Sequence, residues 1–159
     1  MENTRNILSA AILSGSIASL VSAGALALLA KAEGRGAAQP SNATSHWLHG
    51  ESAGSVELAD LPHTALGYAS HHVSSVLWAF LFEGLRSDTA TGLASIARDA
   101  SVTAAVAGVT DYVLMPRRLT PGWEAVLPAR SVAAGFGALA LGLTLGGLAT
   151  RSSRQCRHT

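Results

Sequence analysis

Charge is scarce in this chain and nearly balanced: of 159 residues, 13% are Asp, Glu, Lys or Arg, and the formal net charge is +1. No basic field of the kind that holds nucleic acid is present, which excludes that partner class. Cysteine is almost absent. Cys156 is alone, in a polar stretch near the end of the chain, so no internal disulfide framework is available. The familiar phosphate, dinucleotide, zinc-protease and serine-hydrolase patterns are missing as well: there is no P-loop, no G-x-G-x-x-G opening a helix after a strand, no H-E-x-x-H and no G-x-S-x-G. What is abundant is apolar and small: 48% of residues are hydrophobic and sixteen are glycine. Such a composition points to a chain whose main solvent is not water.

Four apolar segments follow, and they predict an all-α, polytopic membrane protein with a bundle of four transmembrane helices at about 7–30, 63–85, 95–115 and 126–150. Residues 7–30 carry no charge and make a helix of about 36 Å at ~1.5 Å per residue, longer than a hydrocarbon core of roughly 30 Å. A cleaved signal peptide is the competing reading, but its apolar region is normally only ~7 to 15 residues, so a retained helix is expected. Residues 31–62 turn to Gly, Ser, Gln, Pro and charge, an extramembrane loop in which Ser41, Asn42 or Thr44 is expected to cap a short helical turn holding His46, Trp47 and His49. Pro62 suits the first turn of the second span. The third span must draw on residues from Leu93 onward to cross, and Pro116 ends it. The turn at 115–124, MPRRLTPGWE, holds Pro121-Gly122 and Trp123, the latter expected at a polar interface. A basic tail, 151–159, closes the chain.

Small residues at intervals of four mark edges along which membrane helices pack closely. They occur in the first span at Ala11, Gly15, Ser19 and Ala23, in the third at Ala100, Ala104 and Gly108, and in the fourth at Ala138, Gly142 and Gly146. An intramolecular bundle is the expected use, with a second copy or another membrane protein as the alternative partner. Lys and Arg are nearly even on the two sides, six against five. The basic tail beside the last span favours both termini in the cytoplasm.

The second span is where function is sought, because ionisable groups in hydrocarbon are expensive and usually face protein or water. It reads HTALGYASHHVSSVLWAFLFEGL and carries His63, His71, His72 and Glu83. Connectivity brings the first loop, the start of the second span, the end of the third and the 115–124 turn to one membrane face. His46, His49, His63, Asp111, Arg117, Arg118 and Glu124 are expected to gather there. Glu83 lies near the opposite end, one turn from Arg86, and a local ion pair is its simplest explanation.

Three readings of the histidine pair stand side by side. One imidazole clamps the bundle by hydrogen-bonding Asp111 or a backbone carbonyl. Alternatively His71, His72, His63 and Asp111 hold a metal, or a haem whose second axial ligand comes from another copy, since no other span contains a histidine. In the third reading His71 or His72 exchanges protons with Asp111 along a proton or solute path. Ser70, Ser74 and Ser75 flank the pair, but serine in a membrane helix usually bonds its own backbone. No catalytic residue and no particular cofactor is favoured.

NATSHWLHG, the second span, and TDYVLMPRRLTPGWE followed by a Gly- and Ala-rich segment together resemble a group of small proteobacterial inner-membrane proteins without assigned activity. The resemblance implies a bacterial inner-membrane location and four spans, and it brings no catalytic residues. The expectation is therefore a non-enzymatic membrane protein whose polar cluster holds the bundle or a partner; the alternative is a metal- or haem-dependent redox protein or a small proton or solute transporter.

Overall fold

The computed structural model describes residues 2–86 and 92–151, with side chains from residue 7 onward. The connection at 87–91 and the tail beyond Arg151 lie outside the described residues. Among the described residues every regular element is helical and there is no strand. Helix α1 is Glu2–Ala32, followed in the first loop by the short α2 (Gln39–Thr44) and α3 (His46–His49). A wide turn at Leu61–Ala65 runs into α4 (Leu66–Leu85); α5 is Leu93–Val109, extended by a second wide turn at Thr110–Leu114; α6 is Ala129–Ala149.

Local chemistry sets most of these boundaries. Asp60 stands at the N-cap of the Leu61–Ala65 turn, its Oδ1 accepting from the His63 backbone N–H at 2.7 Å, and Pro62 sits in that first turn. The α5 extension stops at Met115, which is extended (φ −78°, ψ 143°), as a residue before proline prefers. The same rule corrects the start of the last helix. Residue 126 was expected to open it, but Pro128 pushes Leu127 away from helical geometry and takes the N-cap itself, so α6 begins at Ala129. Val126 and Leu127 are instead buried beside Trp123, Leu26 and Ala30.

The capping expectation in the first loop is also corrected. No side chain caps α2 or α3. Thr44 returns its hydroxyl to the Pro40 carbonyl (3.0 Å), while the fully buried Asn42 donates to the carbonyls of Val56 (2.7 Å) and Leu58 (3.0 Å) and accepts from Thr64 (2.6 Å). Asn42 thereby ties the loop to the entry of α4. Deeply buried polar groups need such partners, and here they fold the first loop into a compact cap.

Helix α1 runs antiparallel to both α4 and α6 and packs between them. A Cβ on Gly15 would lie 2.6 Å from Cα of Val76 on α4. Cβ atoms on Gly142 and Gly146 would lie 2.5 Å and 2.4 Å from Cα of Ala18 and Ser14. The small-residue edges of α1 and α6 are thus used within one chain, backbone against backbone. Helix α5 packs on the other side of α6, with Gly108 against Phe136 and Ile96 near Gly147. Around the bundle the order is α4, α1, α6, α5. At the loop end Arg130 and Ser131 bond Glu33, at 2.9–3.1 Å, which holds that carboxyl below its usual range.

Two helical segments, Ile7–Ala32 and Ala129–Ala149, are long and apolar enough to cross a membrane. Four were expected. Helix α4 falls short because of its two histidines and Glu83, and α5 because it has only seventeen residues, Arg98 and Asp99 among them.

The α1–α6 contact has a direct test. Gly146→Ala is expected to destabilise the protein by ~1–3 kcal/mol through overpacking, whereas Gly137→Ala on the same helix, with no atom within 4 Å of its Cβ position, should gain ~0.5–1 kcal/mol of helix stability. Unfolding in detergent reads both; equal effects would mean that α1 and α6 do not meet along this edge.

Candidate functional site

The histidine pair is tied to α1. His71 Nε2 lies 2.9 Å from Ser22 Oγ, and His72 Nδ1 lies 2.9 Å from Ser19 Oγ. Each serine has already committed its hydrogen to its own helix, Ser22 to the Ala18 carbonyl (2.7 Å) and Ser19 to that of Ser16 (3.0 Å). The hydroxyl oxygens therefore accept, and the imidazoles donate from Nε2 of His71 and Nδ1 of His72. Tyr68 adds its hydroxyl to Ser19 at 3.4 Å. Both histidines tie α4 to α1, and where Asp111 or a carbonyl was the expected partner the structure uses the hydroxyls of two serines three residues apart in the uncharged 7–30 stretch of α1.

The remaining polar residues take separate places. His63 Nδ1 is 2.7 Å from Asp60 Oδ2, a contact that holds the Asp60 carboxyl below its usual range, and its ring lies against His49, tilted by 48° with the centroids 4.5 Å apart. The ring nitrogens of His46 lie 2.9 Å and 3.0 Å from the carbonyl oxygens of Ala43 and Arg117. Arg118 donates to the Trp47 carbonyl (3.1 Å), and Glu124 accepts from Tyr112 and Thr120 (3.0 and 2.9 Å). These groups lock the first loop onto the 115–124 turn. Glu83 is at the other end of the bundle, fully buried, paired with Arg86 at 2.9 Å and accepting from Thr150 at 3.1 Å. His63, His71, His72 and Asp111 do not converge, and among the described residues no three histidine, cysteine or acidic groups stand together so as to hold a metal ion.

What the structure does bring together is a cavity of about 480 Å³, within the ~300–1,000 Å³ usual for small-molecule sites. Helix α4 forms one wall from Ala69 to Trp78, Asp111 at the end of α5 another, and Phe136 and Leu139 of α6 the back. Thr44, Trp47 and residues 119–121 with Trp123 close the loop end. Val73, Ser74 and Leu119 in this lining are exposed, so the cavity opens to the outside. Its shape follows from packing. At the far end Phe82, Ile96 and Gly147 bring α4, α5 and α6 together, whereas at this end Trp123 and Phe136, 5.4 Å apart, fill the space between.

All three tryptophans of the chain line this cavity. The Trp47 indole N–H donates to Ser70 (3.1 Å) and that of Trp123 to Thr44 (3.2 Å), while His71 packs edge-on to Trp123 at 5.6 Å. Trp123 is only 4% exposed, which corrects its expected interfacial position: its N–H is satisfied inside the protein. His71 and Asp111, on different helices, share the cavity; His72 is turned to α1 and does not line it. Asp111 makes no hydrogen bond or ion pair among the described residues. Trp78, Phe136, Ser22 and Thr150 were not singled out from sequence. A tryptophan in the middle of α4 and two serines spaced by three were the available signals.

Comparison with protein families, curated proteins and solved structures finds no match to this chain.

A double-mutant cycle tests the clamp. Ser19→Ala and His72→Ala should each lower stability in detergent, with a coupling of about 0.5–1.5 kcal/mol, the net value of a hydrogen bond. Additive losses would show that the two side chains do not interact.

Proposed function

We propose that the protein is a bilayer-embedded bundle of four helices, and that it binds a small, largely apolar molecule in the cavity between α4 and α5 without transforming it. The observation that carries this reading is the convergence of every tryptophan of the chain on one open cavity in which a carboxyl has no side-chain partner among the described residues.

The four-span reading is supported by surface and polarity together. From Leu61 to Leu85, and from Leu93 to Leu114, the helical backbone is about 37 Å and 33 Å long at ~1.5 Å per residue, enough to cross roughly 30 Å of hydrocarbon. Val73, Leu77 and Leu85 on α4, and Val102, Val106, Val109 and Val113 on α5, are exposed, as are Leu20 and Leu28 on α1 and Leu141 and Leu145 on α6. So much outward aliphatic surface matches lipid better than water. The costly groups of α4 are turned inward: His71 and His72 onto serines, Glu83 onto Arg86 and Thr150. Arg98 and Asp99, paired at 2.8 Å, lie in the first turns of α5, within reach of headgroups. Residence in a proteobacterial inner membrane with both termini in the cytoplasm belongs to the same proposal; it rests on the resemblance noted above and on the basic tail.

Two measurements address its parts. In a Cys156→Ser background, cysteines at Leu77 and Val106 should resist a membrane-impermeant maleimide in opened membranes, whereas one at Leu58, 81% exposed in the first loop, should react. Equal labelling at all three would end the four-span reading. For the cavity, the neutral fluorophore diphenylhexatriene should quench tryptophan emission saturably at about one equivalent, and Ser74→Trp in the cavity mouth should weaken it about tenfold by loss of apolar contact. Quenching that never saturates and ignores Ser74→Trp would reduce the cavity to a packing defect.

A further inference from the structure

The acidic residues differ in how they are satisfied. Glu33 has Arg130 and Ser131, Asp60 has His63, Glu83 has Arg86 and Thr150, Asp99 has Arg98, and Glu124 has Tyr112 and Thr120. Glu51 and Glu57 are exposed on the first loop. Asp111 is half-buried in the cavity wall and bonded to nothing among the described residues. Among the described residues no Lys or Arg lines the cavity; Arg118, the nearest cation in sequence to its lining, spends its Nε–H on the Trp47 carbonyl. The other ionisable group in the wall, His71, is already engaged with Ser22.

A carboxyl without a counter-charge, set among aromatic rings, describes one ligand chemistry. Trp47, Trp78, Trp123 and Phe136 offer π-systems, and two of the indoles are held in place by their N–H bonds. Aromatic faces attract cations and do so more strongly away from water. An anion would meet Asp111 unscreened, and a lipid tail would leave the carboxyl unpaired.

Building on the cavity reading above, we infer that the ligand is a free lipophilic organic cation, an amine or onium ion with an apolar body, whose charge pairs with Asp111 while Trp47, Trp78 and Trp123 surround its apolar groups.

Tetraphenylphosphonium and tetraphenylborate test this, because they share size and shape and differ in charge. Purified protein in detergent is titrated with each by tryptophan fluorescence, with diphenylhexatriene as the neutral reference. Tetraphenylphosphonium should bind saturably, and Asp111→Asn should weaken it about ten- to a hundredfold while leaving tetraphenylborate and diphenylhexatriene unchanged or tighter. Asp111→Asn keeps the side-chain shape and breaks no bond; Trp78→Leu is the second variant and should weaken the phosphonium more than the borate. Equal binding of the two ions, indifferent to Asp111→Asn, would overturn the cation assignment and leave the cavity reading standing. Failure of all three probes to bind saturably would remove the cavity reading itself, and the assignment with it. Loss of phosphonium binding in nanodiscs of phosphatidylethanolamine, but not of phosphatidylglycerol, would identify a lipid amine as the occupant and overturn the free-cation assignment.

Discussion

Everything in this fold depends on how closely α1 approaches its two neighbours. In the bilayer proposed above, helices would gain little from burying apolar side chains, because acyl chains are just as apolar; the gain would come from dispersion contacts at short range and from hydrogen bonds. Gly15 admits α4, and Gly142 and Gly146 of α6 admit Ala18 and Ser14, so backbones touch on both sides of one helix. That proximity also lets short side chains bridge between helices. Ser19 and Ser22 reach His72 and His71 because α4 is already near.

The polar groups then sort themselves by the same requirement. Each imidazole of the pair finds a hydroxyl whose own hydrogen is spoken for, so the direction of each bond is set by α1 and not by the histidine. Glu83 and Arg86 lie one turn apart and bury their charge together against Phe82 and Thr150. A buried pair of this kind is not a large net source of stability, but breaking it would leave a bare charge inside, and so it fixes how the ends of α4 and α6 meet. At the opposite end Asn42, His46 and Thr120 fold two loops into a lid of hydrogen bonds over the helix ends.

The cavity follows from unequal packing. Glycine at 147 lets α4, α5 and α6 close at one end; two large rings, Trp123 and Phe136, hold them apart at the other. Asp111 stands where α5 turns away from regular α-helical winding, and among the described residues no side chain bonds its carboxyl. A bundle that satisfies its other described buried acids and leaves this one open has placed its chemical asymmetry in the cavity.

The all-helical character of the chain and the approximate extent of its long helices were legible in the sequence because they depend on local properties: uninterrupted apolar length, proline at 62 and 116, and small residues recurring every fourth position. The pairing of Glu83 with Arg86 was legible for the same reason, being one turn apart on one helix. Pro128 carried the true start of α6 and was readable by the rule that moved it. The histidine pair announced itself as costly, but its partners lay 49 and 53 positions away, and periodicity along one helix is silent about which neighbour it faces. Trp47, Trp78 and Trp123 gave no sign of a common site, being spread over three segments of chain. Only the tertiary arrangement, in which antiparallel helices meet at glycine and part at tryptophan, determined that they enclose one space with Asp111 in its wall.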